Sequence, residues 1–175
     1  MQPSAAHYWS HFVLGAAGSV LLHEAAHVGA SLAMGAHPTF RFDKGRPTIF
    51  SGIDPDADPR RQFVFSSAGL TVQAVLDEMV LDVPHTRGSA LERGVLAGGI
   101  GTTLFYVTLG RNASVSDVTY MARTSSLSKT QVSLIYGGVA ALHAVRMSRD
   151  GAYAHLFARP AADGGLHVGV GVRTH

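Results

Sequence analysis

Residues 12–34, FVLGAAGSVLLHEAAHVGASLAM, form an apolar run whose only ionisable side chains are His23, Glu24 and His27. Coiled as a helix, such a run is long enough to cross the hydrocarbon core of a bilayer, which takes roughly 20 residues. Tyr8 and Trp9 precede it, as aromatics at a membrane interface do. Gly35 and Pro38 follow it in the glycine-then-proline order that stops a helix. On this helix His23 and His27 are four residues apart and therefore share one face.

That spacing makes His23-Glu24-Ala25-Ala26-His27 an H-E-x-x-H pentapeptide. Two imidazoles at i and i+4 can reach a single metal ion, and the glutamate between them lies within reach of a water that the metal polarises. With ten histidines and three glutamates in 175 residues, the pentapeptide arises by chance about once per hundred such chains. The alternative is a helix whose histidines are satisfied by hydrogen bonds, which leaves a buried glutamate still needing a partner.

Outward from this segment, three more apolar stretches appear: Phe63 to Val83, Gly94 to Leu109, and Gln131 to Met147. The second contains Asp77, Glu78 and Asp82 and is closed by Pro84. The third is glycine-rich, and Gly94-x-x-x-Gly98 permits another helix to approach closely. The fourth opens with a capping box, Ser128 to Gln131. Between the first two, Thr39 to Asp43 alternates, Lys44-Gly45-Arg46 can turn, and Pro47 to Phe50 resumes an extended character, which predicts a β-hairpin. Asp54 to Pro59 is an acidic turn without the spacing of a calcium loop. Ser114 to Arg123 predicts a short amphipathic helix, and Asn112-Ala113-Ser114 matches a glycosylation sequon. Leu166 to Val172 alternates weakly, so residues 151–175 read as a tail or edge strand after a helical domain of residues 1–150.

Composition narrows the class. Charged residues make up 15% and apolar residues 46% of the chain, with a formal net charge of +2 and a mean hydropathy of +0.17. This balance lies between a soluble enzyme and a small membrane protein; the basic residues are too few and scattered to suggest nucleic acid. Cysteine is absent, so disulfides and thiolate metal sites are excluded and any zinc must be held by histidine and carboxylate. Met1 to His11 has no lysine or arginine, and no signal peptide is read there. Basic residues nearly balance across four spans, so they do not assign an orientation.

A catalytic zinc takes three protein ligands and leaves a fourth position for water. His23 and His27 supply two. Asp77 is the first choice for the third, because a carboxylate inside an apolar helix is costly without a cation. Asp77 also shares a helix face with Gln73 and Gly69, which allows close approach to the first helix. Glu78 is the second choice, followed by His85 and His143, the latter read as a hydrogen-bonded core residue. Glu24 is the candidate general base.

The pentapeptide in an apolar helix, followed by a hairpin and a later apolar helix with Leu76-Asp77, resembles the site-2 protease type of intramembrane zinc metalloprotease. The resemblance covers residues 12–83. It implies an aspartate on the later helix as third ligand, though Glu78 stands where that family has glycine, and no Asn-Pro pair precedes Asp77. It also implies cleavage of peptide bonds within or beside a membrane.

The expectation is therefore a mainly α protein of four apolar helices with a small hairpin between helices 1 and 2, favoured as a multi-pass membrane bundle over a soluble domain. Its expected function is zinc-dependent peptide hydrolysis of a protein or peptide substrate, membrane proteins included. Two other readings stay open: a soluble zincin-like hydrolase, and a non-catalytic helical membrane or interaction protein with a structural metal or none.

Overall fold

The computed structural model describes residues 4–43, 46–160 and 165–172. In chain order these form α1 (Ala5–Ala33), β1 (Thr39–Asp43), β2 (Arg46–Phe50), α2 (Pro59–Asp82), α3 (Ala90–Val107), α4 (Asp117–Arg123), α5 (Lys129–Arg149), β3 (Ala154–Pro160) and β4 (Leu166–Val172). The expected turn at Lys44-Gly45 lies outside the described residues.

Each helix begins where a polar side chain can satisfy its unpaired N–H groups. Ser4 accepts from the His7 amide at the start of α1, extending that helix seven residues ahead of the apolar run. Asp58 caps α2, with Pro59 at its first position, where a missing N–H costs nothing. Ser89 with Glu92 and Ser128 with Gln131 complete capping boxes at α3 and α5. Gly35, at φ +69°, turns the chain out of α1 toward the hairpin.

β1 and β2 pair antiparallel from Thr39↔Phe50 to Asp43↔Arg46, the expected hairpin. At the other end β3 and β4 form a second antiparallel hairpin, Ala154↔Val172 to Pro160↔Leu166, so the segment read as a tail or edge strand has its own partner.

α1 buries small and polar residues and exposes larger apolar ones. Its buried residues are Gly15, Ser19, His23, His27 and Ser31, one every fourth position. Val13, Leu14, Leu21 and Leu32 on other faces are exposed. Small residues let α1 and α3 meet backbone to backbone. A Cβ at Gly98 would come within 2.8 Å of the Ala16 carbonyl oxygen, and one at Gly94 or Gly15 would overlap the backbone of the opposite helix. The Gly94-x-x-x-Gly98 pair thus mediates a close crossing.

Apolar cores lie between the other helices. Leu70, Val107, Val118, Met121 and Val132 join α2, α3, α4 and α5. Leu81, Leu96, Ile100, Ala140 and Tyr153 form a second cluster. Only α1 and α2 among the described helices are long and apolar enough to cross a membrane, which corrects the expectation of four spans. The reason is local: Glu92 and Arg93 open α3, while α5 carries Lys129, His143, Arg146 and Arg149.

Candidate metal centre

The centre is built around the polar stripe of α1. The His23 and His27 rings are buried, with their Nε2 atoms 3.1 Å apart. Their Nδ1 atoms point away toward oxygen acceptors. His23 Nδ1 lies 3.0 Å from Gln73 Oε1, and His27 Nδ1 lies 2.7 Å from the Phe65 carbonyl oxygen. An acceptor at Nδ1 holds the ring proton there and leaves the Nε2 lone pair free, the orientation in which histidine binds metal. Gln73 is itself held by Ser19, 3.5 Å from its Nε2.

The third group is Asp117, the first residue of α4, placed by the Ser116 cap and by the burial of Val118 and Met121. Its Oδ2 lies 3.2 Å from His23 Nε2 and 3.4 Å from His27 Nε2. That oxygen is buried, with the two imidazole nitrogens as its neighbours. Burial alone would raise the Asp117 carboxyl, but the charge of His27 and His23 when protonated, and the hydrogen bonds they then donate, hold it at about 2. The position thus favours positive charge strongly. Among the described residues, His23, His27 and Asp117 are the one group of three metal-ligand side chains whose donor atoms converge, all within 4.8 Å.

Room for an ion comes from Gly69. A Cβ on that residue would sit 2.6 Å from the Nε2 atoms of both histidines. The missing side chain thus leaves a cradle between two imidazole lone pairs and a carboxylate. This donor set, two histidines and one carboxylate, is a common zinc set. The residues fit the ion.

Glu24 is half-buried beside the centre and makes no hydrogen bond or ion pair with any described residue. It lines a cleft of about 430 Å³ together with His27 and Asp117. Thr39 and Arg41 of β1 and Thr48, Ile49 and Phe50 of β2 form another wall of the same cleft. A hydrogen-bond chain fixes the hairpin's exit to the helices. Ser31 donates to the Ser51 carbonyl at 2.7 Å, Ser51 Oγ donates to Gln62 Oε1 at 2.6 Å, and Gln62 Nε2 donates to Ser66 Oγ at 3.0 Å. Arg123 of α4 grips Asp56 with contacts of 2.8 and 2.7 Å, tying the acidic turn to the helix that carries Asp117.

The structure brings His23, His27 and Glu24 to one site as expected but places Asp77 elsewhere. Asp77 is eight residues past Gly69, about 12 Å farther along the axis of α2. There its carboxylate packs against Gly99 of α3 and lies 3.5 Å from His143 Nδ1 of α5. Glu78, the second choice, is also remote from the centre. It accepts from His143 Nε2 at 3.0 Å and from Arg146, which also pairs with Asp82. His85 is exposed and bonded to Glu92. The buried carboxylate on α2 thus has His143 of α5 as its near neighbour in place of the centre's histidines.

Asp117 escaped the reading of the sequence. Its one visible signal is that it is the only carboxylate between Glu92 and Asp150. No family model, curated protein or solved structure matches the chain.

Proposed function

We propose that this protein is a membrane-embedded zinc metallopeptidase in which His23, His27 and Asp117 hold the metal and Glu24 is the general base. One observation carries the proposal. Three buried acceptor atoms meet across a cradle kept open by Gly69, with the outer nitrogen of each imidazole already satisfied. Two imidazole lone pairs and a carboxylate so arranged attract a cation, and the set suits zinc.

Zinc bound there would supply Lewis acidity, lowering the pKa of a water and polarising a carbonyl. The chain's own groups do the rest. Glu24, free of other partners and open to the cleft, accepts the proton of the attacking water and later hands it to the departing amine. Gln73 and the Phe65 carbonyl hold the imidazoles in register. The hairpin along the cleft offers backbone groups to an extended polypeptide, as strand addition does.

The burial pattern of α1 supports a membrane setting. Its polar and small residues face the bundle while its leucines and valines face outward. α2 shares part of the pattern: it buries Gln62, Ser66, Gln73 and Asp77 beside Phe65, Leu70 and Leu81, and exposes Val64, Val75 and Met79.

The test is metal analysis joined to hydrolysis. Full-length protein purified in detergent is expected to contain about one zinc and to cleave quenched-fluorescence casein. Glu24→Gln is expected to keep the zinc and lose cleavage. Wild-type protein without stoichiometric metal, or a Glu24→Gln variant as active as wild type, overturns the proposal.

A further inference from the structure

Attack of water on a peptide carbonyl moves the π electrons onto the carbonyl oxygen, and an enzyme gains most by aiming a hydrogen-bond donor at that developing charge. The cleft beside Glu24 contains several polar side chains, and most are already engaged. Ser51, Gln62 and Ser66 are linked to one another. Ser116 Oγ donates to Thr119 Oγ1 at 3.1 Å. Tyr106 stacks on the His23 ring, with centroids 5.2 Å apart, and both it and Thr48 have further partners. Thr39 and Arg41 lie exposed on β1, where water weakens their pull on a charge, and Arg41 is drawn over the Phe50 ring.

Tyr120 remains. It lines the same cleft as Glu24, His27 and Asp117, is half-buried, and its hydroxyl makes no hydrogen bond with any described residue. It follows Asp117 by three residues on α4, so both side chains lie on one face of that helix. Asp117 faces the two histidines, and Tyr120 stands one turn farther along the same wall of the cleft.

Resting on the metallopeptidase reading above, we infer that Tyr120 is a catalytic residue of this site, the donor that stabilises the oxyanion. As the water oxygen bonds to the carbonyl carbon, one water proton passes to the Glu24 carboxylate and the C=O π pair becomes an oxyanion. The Tyr120 O–H donates a hydrogen bond to that oxygen without losing its proton. The oxyanion then re-forms the C=O double bond, the C–N bond breaks, and the Glu24 proton goes to the leaving nitrogen. Water and one peptide bond thus give one carboxyl and one amine.

Tyr120→Phe removes a single hydroxyl that makes no hydrogen bond with any described residue, so the variant is expected to fold and to hold zinc as wild type does. With quenched-fluorescence casein as probe, its kcat is expected to fall about 10²-fold or more with KM nearly unchanged. Tyr120→His, which restores an N–H donor, is expected to regain part of the loss. Zinc lost in proportion to activity would show a structural role, and a wild-type kcat in Tyr120→Phe beside an inactive Glu24→Gln would overturn the inference while leaving the peptidase reading intact. A kcat collapse in Arg41→Gln with Tyr120→Phe unaffected would assign the donor to Arg41 and overturn the role of Tyr120. A wild-type protein lacking zinc and hydrolysis removes both proposals together.

Discussion

Gly69 lies directly against His23: a methyl group at this position would come 2.5 Å from the ring's Cε1 and 2.6 Å from its Nε2. A helix interior normally disfavours glycine by about 1 kcal/mol relative to alanine. Gly69→Ala therefore favours the helix while filling the cradle. The expected outcome is a folded protein that has lost its zinc, read by circular dichroism and metal analysis of the same sample. A Gly69→Ala protein with full zinc content would place the ion, or its ligands, elsewhere.

Asp117 and Asp77 are both buried aspartates, but only Asp117 faces the histidines. Asp117→Asn is expected to cut zinc affinity by orders of magnitude, because it replaces an anionic ligand by a weak neutral one. Asp77→Asn is expected to leave zinc affinity within about twofold of wild type, since its partner is His143. Chelator competition on both variants decides between them. The reverse ranking would restore Asp77 as third ligand.

What the sequence could reveal about this centre follows from distance along the chain. His23 and His27 were legible because a four-residue spacing on a helix converts directly into a shared face. The capping box at Ser128 and the glycine pair Gly94 and Gly98 were legible because they too are short-range spacings on a helix. Asp117 was not. It lies 90 residues beyond His27 on a seven-residue helix, and only the packing of Val118 and Met121 against Leu70 brings it to the histidines. Asp77 misled because the argument about its type was sound while the choice of partner was not. A buried carboxylate must be compensated, and nothing local says whether a metal, a neighbouring side chain or its own proton does so. The C-terminal hairpin was half legible: Leu166 to Val172 alternates, while Ala154 to Pro160 offers little pattern.

Acid should strip the metal. Imidazoles must be unprotonated to bind zinc, so affinity is lost as pH falls. Asp117 is ionised at any pH above about 2 and brings no proton to be displaced over the working range. Zinc affinity is therefore expected to fall steadily on acidification, as protons compete with the metal for the imidazoles. Chelator competition at stepped pH measures it. An affinity unchanged between pH 8 and pH 5 would mean that the histidines are not ligands.

The two faces of α1 make opposite demands, and charge tells a membrane helix from a soluble one. Leu21 is 68% exposed, and in a water-soluble protein a lysine there is harmless, changing stability by no more than about 0.5 kcal/mol. In a bilayer the same lysine faces lipid near the middle of a helix about 43 Å long, where insertion costs about 3 kcal/mol. Leu21→Lys is thus expected to reduce the alkali-resistant membrane fraction of the expressed protein sharply. Ser19→Thr on the opposite face adds bulk against Gly98, whose Cβ would already come within 3.0 Å of the Ser19 Cβ. It is expected to loosen the α1–α3 crossing and lower thermal stability without altering membrane retention. Fractionation of both variants beside wild type reads the difference. If Leu21→Lys instead yields more soluble protein with undiminished stability, α1 is the core helix of a soluble domain, and the metal centre operates in water.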